Sequence, residues 1–255
     1  MSEAVGRIRA AYVEGSRRRA LSVQGGEIIE VDGLVVALTN LPDPALNGVV
    51  VSREPDDPDA AISAAEEEFH RRGHPFFGIE LERGRHPAVQ EAVRRAGLTL
   101  LFSHPAMAAR PADLPGPTAP AGLRIERLED PSELPALQAV DLDAFGADPD
   151  VTARFLGLEM LASVHNRVFL AREDGHAIGA GTAWSLLGTV GIFGIGVVGS
   201  ARGRGIGTAL TLTAARSFGD DVDLAWLHPT ALARPLYERL GFRAVGDWDI
   251  WVRPS

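Results

Sequence analysis

The sequence predicts an α/β (α+β) protein built from two units in tandem. Three observations carry this expectation. Strand-length apolar runs alternate with helix-length stretches along the chain. A proline-rich run interrupts them near the middle, and the same order of elements recurs on either side of it.

Taken in order, residues 1–20 read as a helix, with Arg17-Arg18-Arg19 on a solvated face. β-rich segments follow at Leu34–Leu38 and Val49–Val51, where branched and apolar residues run without a turn former. A helix is expected over Asp57–Arg72, a strand over Phe76–Leu81, a helix over Pro87–Ala96 and a strand over Leu98–His104. The run from Pro111 to Ala121 holds four prolines, which exclude a helix interior or a central strand, so it reads as a stiff, extended linker. The expected division is therefore a first unit over 1–110, a linker over 111–121 and a second unit over 122–255.

Beyond the linker, a strand is expected at Leu123–Arg127 and helices at Ser132–Asp143 and Val151–Val164. Strands follow at Arg167–Arg172, Ala177–Ser185 and Thr189–Val198. A glycine-rich turn then opens a helix that runs to about Phe218. The chain closes with a strand at Asp223–Leu227, a helix at Ala231–Leu240 and a β-rich stretch at Phe242–Val252. The repeat is visible in detail: His86-Pro87 leads a helix ending Arg95-Ala96-Gly97-Leu98, and His228-Pro229 leads one ending Arg239-Leu240-Gly241-Phe242.

Composition narrows the chemistry. The 255 residues carry 34 acids against 25 bases, a net charge of −9, and every base is Arg; there is no Lys and no Cys. Without Lys there is no Schiff base and no GxxxxGK[ST] phosphate loop. Without Cys there is no thiol nucleophile, disulfide, thiolate zinc site or Cys-ligated cluster. Any phosphate must be held by Arg, by backbone N–H groups or by a metal. Charge is spread evenly over the halves, so no basic stripe marks a nucleic-acid partner, and no apolar run is long enough to span a membrane. A cytoplasmic location, without membrane or nucleic-acid partners, is expected.

The segment Ile192–Leu210 is the most informative. An apolar strand runs into Arg202-Gly203-Arg204-Gly205-Ile206-Gly207, and a helix begins at Thr208-Ala209-Leu210. Glycines let the backbone approach a ligand, and the N–H groups and dipole of a new helix favour an anion. This pattern makes a phosphate cradle that needs no Lys. Gly194-Ile-Gly196-Val-Val-Gly199 also matches the dinucleotide fingerprint G-x-G-x-x-G, but a further loop intervenes before the helix and too little chain follows for the remaining βα units.

Arg202-Gly-Arg-Gly205-Ile-Gly207 resembles the [Q/R]-x-x-G-x-[G/A] signature of the GNAT acetyltransferase superfamily. Leu236-Tyr237-Glu-Arg-Leu-Gly241-Phe242 resembles the family's L-Y-x-x-x-G-F helix end. The resemblance covers residues 122–255 and implies a tandem GNAT fold, each half a mixed twisted sheet flanked by helices. It implies an N-acetyltransferase that uses acetyl-CoA as co-substrate, with no metal; a non-catalytic acyl-CoA-binding or regulatory module on the same fold is the alternative. Ile195, Gly196 and Val197 would pair with the pantetheine arm, and the Val197 N–H would meet the oxyanion. Arg202, Gly203, Arg204, Gly205, Ile206, Gly207 and Thr208 would hold the pyrophosphate. Thr230 stands where relatives often keep an Asn that contacts CoA, and Tyr237 would protonate the departing thiolate. The acceptor is a small amine or a peptide or protein amine, and the protein is a monomer or homodimer.

No acid lies on Thr189–Val198, where many relatives keep a base. His228 is the local candidate by pKa, and Asp143, Asp148, Glu159, Asp249 or a water relay are others. In the first half the cradle position holds Arg53-Glu-Pro-Asp-Asp-Pro-Asp59 and the tyrosine position holds Val93. That half is expected to be a degenerate GNAT-like unit that does not bind acetyl-CoA.

Overall fold

The computed structural model describes residues 2–43, 46–74 and 77–253. The chain divides into two compact units: Met1–Ala106 together with Ala244–Ser255, and Met107–Arg243. The division falls a few residues before the proline-rich run, and the chain's end belongs with the first unit.

In the first unit, α1 (Ser2–Leu21) precedes β1 (Glu27–Val31), β2 (Leu34–Leu38), β3 (Gly48–Val51), α2 (Pro58–Arg71), β4 (Gly78–Glu82), α3 (Pro87–Arg95) and β5, which spans Thr99–Ala109. The expected strand start at Phe76 lies outside the described residues. β1, β2 and β3 pair antiparallel in sequence, and β3 pairs parallel with β4 through Val49↔Ile79 and Val50↔Glu80. The last strand of the chain, β11 (Arg243–Val252), then pairs antiparallel with β4, Trp251 opposite Ile79. Trp251 is buried in the same core as Phe69, Phe77 and Val93, with the Arg94 guanidinium 5.3 Å from the centre of its ring. β5 runs on past Pro105, which the expected end at His104 did not foresee.

Glu80 is a half-buried carboxyl on β4. Its carboxyl accepts a hydrogen bond from the Tyr12 hydroxyl and lies 3.6 Å from Arg19 Nη2, yet burial pushes its pKa up from 4.5 to about 7. The folded chain therefore holds this proton more tightly than the unfolded chain does. The resulting stabilisation is full below pH 4.5 and is lost as pH rises through about 7. Urea unfolding should show the wild type losing about 2–3 kcal/mol more than Glu80→Gln between these limits. Parallel pH slopes for the two proteins would contradict this.

The second unit contains β6 (Arg124–Leu128), α4 (Leu134–Phe145), α5 (Pro149–Phe155), α6 (Leu158–Ala162), β7 (Asn166–Glu173), β8 (His176–Leu186), β9 (Thr189–Val197), α7 (Ile206–Arg216), β10 (Leu224–Leu227) and α8 (Arg234–Leu240). β6, β7, β8 and β9 pair antiparallel in turn, β9 pairs parallel with β10, and β10 pairs antiparallel with Met107–Ala109 of β5. This is a mixed sheet with α4 on one face and α7 on the other: a Cβ on Gly196 would meet Ala144, and one on Gly179 would meet Ile206.

Two expected helices differ. The stretch Val151–Val164 is two helices, because the chain extends at Gly157 (φ −106°, ψ −167°). The helix drawn from Ala231 begins at Arg234, so Pro235 sits in its first turn, where a missing N–H costs nothing, and does not kink it. The proline-rich run is docked: Pro111–Asp113 form a 3₁₀ turn, Leu114 joins the core of the second unit, and Arg216 donates to the carbonyls of Leu114 and Pro115. Among the described residues no helix is long and apolar enough to cross a membrane.

Candidate active site

The site begins where β9 and β10 part. They pair at Thr189↔Leu224, Val190↔Ala225 and Gly191↔Trp226, and the register stops there. On its other side β9 stays paired with β8 as far as Val197↔Gly179, with a register shift between Ala180 and Thr182. Gly194, at φ +59°, lies in the bulge. Phe193 lies over Gly191, where a Cβ would stand 2.6 Å from its ring, and its ring meets Trp226 edge-on at 5.4 Å. The Val198 N–H donates to Ile178 O at 3.0 Å, toward β8, so the alternation of the strand turns the N–H and C=O of Val197 to the open side. Ile195, Gly196 and Val197 thus form a strand edge able to accept another chain-like partner.

The cradle follows directly. A 3₁₀ turn at Gly199–Ala201 leads to Arg202, then to Gly203 and Gly205 at φ +77° and +82°, and α7 starts at Ile206. Gly205 is the N-cap in a left-handed conformation that an L residue reaches only under strain, and it offers no side-chain cap. The first N–H groups of α7, those of Ile206, Gly207 and Thr208, have no acceptor within the helix. A Cβ on Gly207 would rest in ordinary van der Waals contact with Ile195 Cγ2 and Val197 Cγ2, at 3.8 and 3.9 Å. Open edge and helix N-terminus therefore meet at one place. The two arginines are engaged elsewhere: Arg202 donates to Val197 O and Ala144 O, and Arg204 is paired with Glu173.

Tyr237, on α8, is buried against the same helix. Its ring meets Phe242 edge-on at 6.0 Å, and Thr211 of α7 lies near its hydroxyl. Thr211 itself donates to Gly207 O at 2.8 Å, so one chain of contacts links Tyr237 to the cradle. Burial pushes the Tyr237 pKa up, and the Thr211 contact offsets only part of that. The phenol therefore keeps its proton and is available as a donor. Thr211 had no signal in the sequence, since its role depends on the packing of α7 against α8. Thr230 is exposed, and its hydroxyl accepts from the Ala233 N–H at 3.3 Å, capping the turn before α8.

His228 follows β10 and is half-buried, its ring edge-on to Trp226 at 5.7 Å. The other candidate bases have different employment. Asp143 Oδ1 accepts from the Gly199 N–H at 2.6 Å, Asp148 caps α5, and Glu159 is exposed in the first turn of α6. Asp249 lies in the first unit; burial opposes its charge, but hydrogen bonds from Arg83 and Ser103 hold its pKa below the usual range. Trp248 and Trp251 share that unit, whereas Trp226 belongs to the second. Among the described residues no group of three His, Asp or Glu side chains is placed to hold a metal ion.

The counterpart in the first unit is closed. β3 and β4 form the same parallel pair, but the N–H groups of Asp56 and Asp57, just ahead of α2, donate to Asp32 Oδ2 at 2.8 and 3.2 Å. An internal carboxylate thus occupies amides that would face a phosphate. His86 is paired with Glu54, and Val93, at the tyrosine position, is buried in the core. A cavity of about 10 Å³, bordered by Tyr12, Val50, Glu80, His86 and Trp248, has room for about one water and none for a pantetheine arm.

Residues 164–244 match the family described as acetyltransferase (GNAT) domain, which spans β7 to the start of β11 and includes the cradle and Tyr237. The chain carries this match over less than half of its length. It also shares its fold with solved structures over most of its length. A GCN5-related N-acetyltransferase from Kribbella flavida matches with 22% identity and a TM-score of 0.76, covering 96% of each chain. A GCN5-related N-acetyltransferase from Sphaerobacter thermophilus matches with 20% identity and a TM-score of 0.62, covering 88% of this chain and 82% of that one. A tandem GNAT protein from the clavulanic acid biosynthesis pathway matches with 18% identity and a TM-score of 0.64, covering 91% and 81%. At these identities the likeness establishes the tandem GNAT fold. No curated protein sequence matches the chain.

Proposed function

We propose that the second unit transfers an acetyl group from acetyl-CoA to an amine acceptor, in the cytoplasm, by direct attack within a ternary complex. The observation that carries this reading is the junction of an unpaired strand edge at Ile195–Val197 with the N-terminus of α7, beside a buried, protonated tyrosine. The pantetheine arm adds to the edge as a strand would, and the pyrophosphate takes the free N–H groups from Gly203 to Thr208. The amine nitrogen attacks the thioester carbonyl, and the oxyanion that forms accepts from the Val197 N–H. As the tetrahedral adduct collapses the C–S bond breaks, and Tyr237 gives its proton to the thiolate sulfur. His228 or a water passes the amine proton to solvent. With no Cys in the chain, no thioester to the protein is formed on the way.

The first unit is, in this reading, a degenerate copy that retains the fold and has lost the ligand. Asp32 on the amides of Asp56 and Asp57 supports this, as does the absence of a phenol at Val93.

The test is CoA release by the intact chain on a panel of primary amines, followed with a thiol reagent to which a protein without Cys contributes no background. Turnover with an acceptor amine is expected. Saturable acetyl-CoA binding without CoA release on any amine would favour a binding or regulatory module instead.

A further inference from the structure

The arginine that opens the cradle does not face the ligand position; it faces the protein. Arg202 Nε donates to Val197 O at 3.1 Å and its Nη2 to Ala144 O at 3.2 Å. Ala144 lies in the last turn of α4, where carbonyls lack helical partners and a cation is favoured by the helix dipole. A second contact runs the other way, from the Gly199 N–H of the cradle to Asp143 Oδ1 at 2.6 Å. Each segment thus gives the other a charged side chain for a backbone group. Between them, Gly196 lets Ala144 and Phe145 come so close that a Cβ there would stand 2.9 and 3.0 Å from them.

We infer that Arg202 and Asp143 are positioning residues that latch the end of α4 to the cradle, and that pyrophosphate is held by backbone N–H groups and not by the Arg202 guanidinium. The inference rests on the reading of this site as an acetyl-CoA site. Its chemistry is local. The Val197 carbonyl lies on the open edge of β9, so the guanidinium closes that edge at its cradle end and fixes the distance from β9 to α4. A guanidinium spread over two neutral carbonyls also leaves the strand edge from Ile195 to the Val197 N–H clear for the pantetheine amides.

Two ligands separate latch from phosphate contact: acetyl-CoA, and acetylpantetheine, which has the thioester arm and no phosphate. Their dissociation constants are measured by calorimetry for the wild type, Arg202→Ala, Arg202→Gln and Asp143→Asn. The latch predicts that Arg202→Ala weakens both ligands by the same factor, about tenfold. Arg202→Gln, which keeps a donor without charge, should recover part of the loss, and Asp143→Asn should weaken both ligands alike. In the ligand-free protein, amide exchange at 142–146 and 196–201 should accelerate together in Arg202→Ala and in Asp143→Asn. Loss of acetyl-CoA affinity with acetylpantetheine binding and amide exchange unchanged would make Arg202 a phosphate ligand and overturn the latch. A wild type that binds neither thioester would overturn the acetyl-CoA reading itself, whatever the exchange data show.

Discussion

Tyr237→Phe is expected to lower kcat about a hundredfold while leaving the acetyl-CoA dissociation constant within about twofold of wild type. The substitution removes one oxygen from a buried ring and leaves the packing against Phe242 in place. What disappears is the proton that makes CoA thiolate a good leaving group. The same geometry fixes the pH behaviour. Burial raises the Tyr237 pKa above its ordinary 10, so loss of the donor proton should not limit kcat below that pH. Any alkaline limb attributable to Tyr237 should lie above pH 10 and vanish in the Phe variant. Equal turnover by the two proteins would remove Tyr237 from the mechanism.

Gly207→Glu should produce the largest loss of binding, at least about a hundredfold in the acetyl-CoA dissociation constant. Binding and stability are expected to move in opposite directions. A carboxylate in the first turn of α7 suits the helix dipole, and nothing but the tips of Ile195 and Val197 lies near the new Cβ, so thermal stability should hold or rise slightly. The same carboxylate repels a pyrophosphate at the first N–H groups of the helix, which have no acceptor within it. The first unit already shows this exchange in its own sequence, since Asp32 sits on the N–H groups of Asp56 and Asp57. Gly207→Ala, which adds a methyl group without charge and without overlap, should bind nearly as the wild type does. If Ala and Glu weakened binding equally, crowding and not charge would be the cause.

The parts of this protein that were legible in its sequence are those encoded by backbone requirements. Gly203 and Gly205 announce left-handed turns because other residues resist them, and Tyr237 is the sole phenol after the linker. The strands and helices that follow from periodicity were placed to within a few residues. What escaped depends on contacts far apart in sequence. Nothing local in Ala244–Val252 says that this strand pairs with β4 at Gly78–Glu82, because a strand's apolar pattern does not name its neighbour. In the sequence Arg202 reads as part of the phosphate cradle and Asp143 as one of several candidate bases. Their side chains reach across the gap between β9 and α4 to backbone groups, Arg202 to Ala144 O and Asp143 to the Gly199 N–H, a closeness that Gly196 under Ala144 permits. Likewise the acidic run at Arg53–Asp59 signalled a lost cradle, but the carboxylate that occupies its amides comes from Asp32 in the β1–β2 turn.

One unit of the two is expected to bind acetyl-CoA, and to do so at the N-terminus of α7. Calorimetric titration of the intact chain with acetyl-CoA tests this most directly, comparing wild type with Gly207→Glu. One acetyl-CoA per chain is expected in the wild type, and no measurable binding at the same concentrations in the variant. Two sites per chain, or one site that survives Gly207→Glu unchanged, would contradict it.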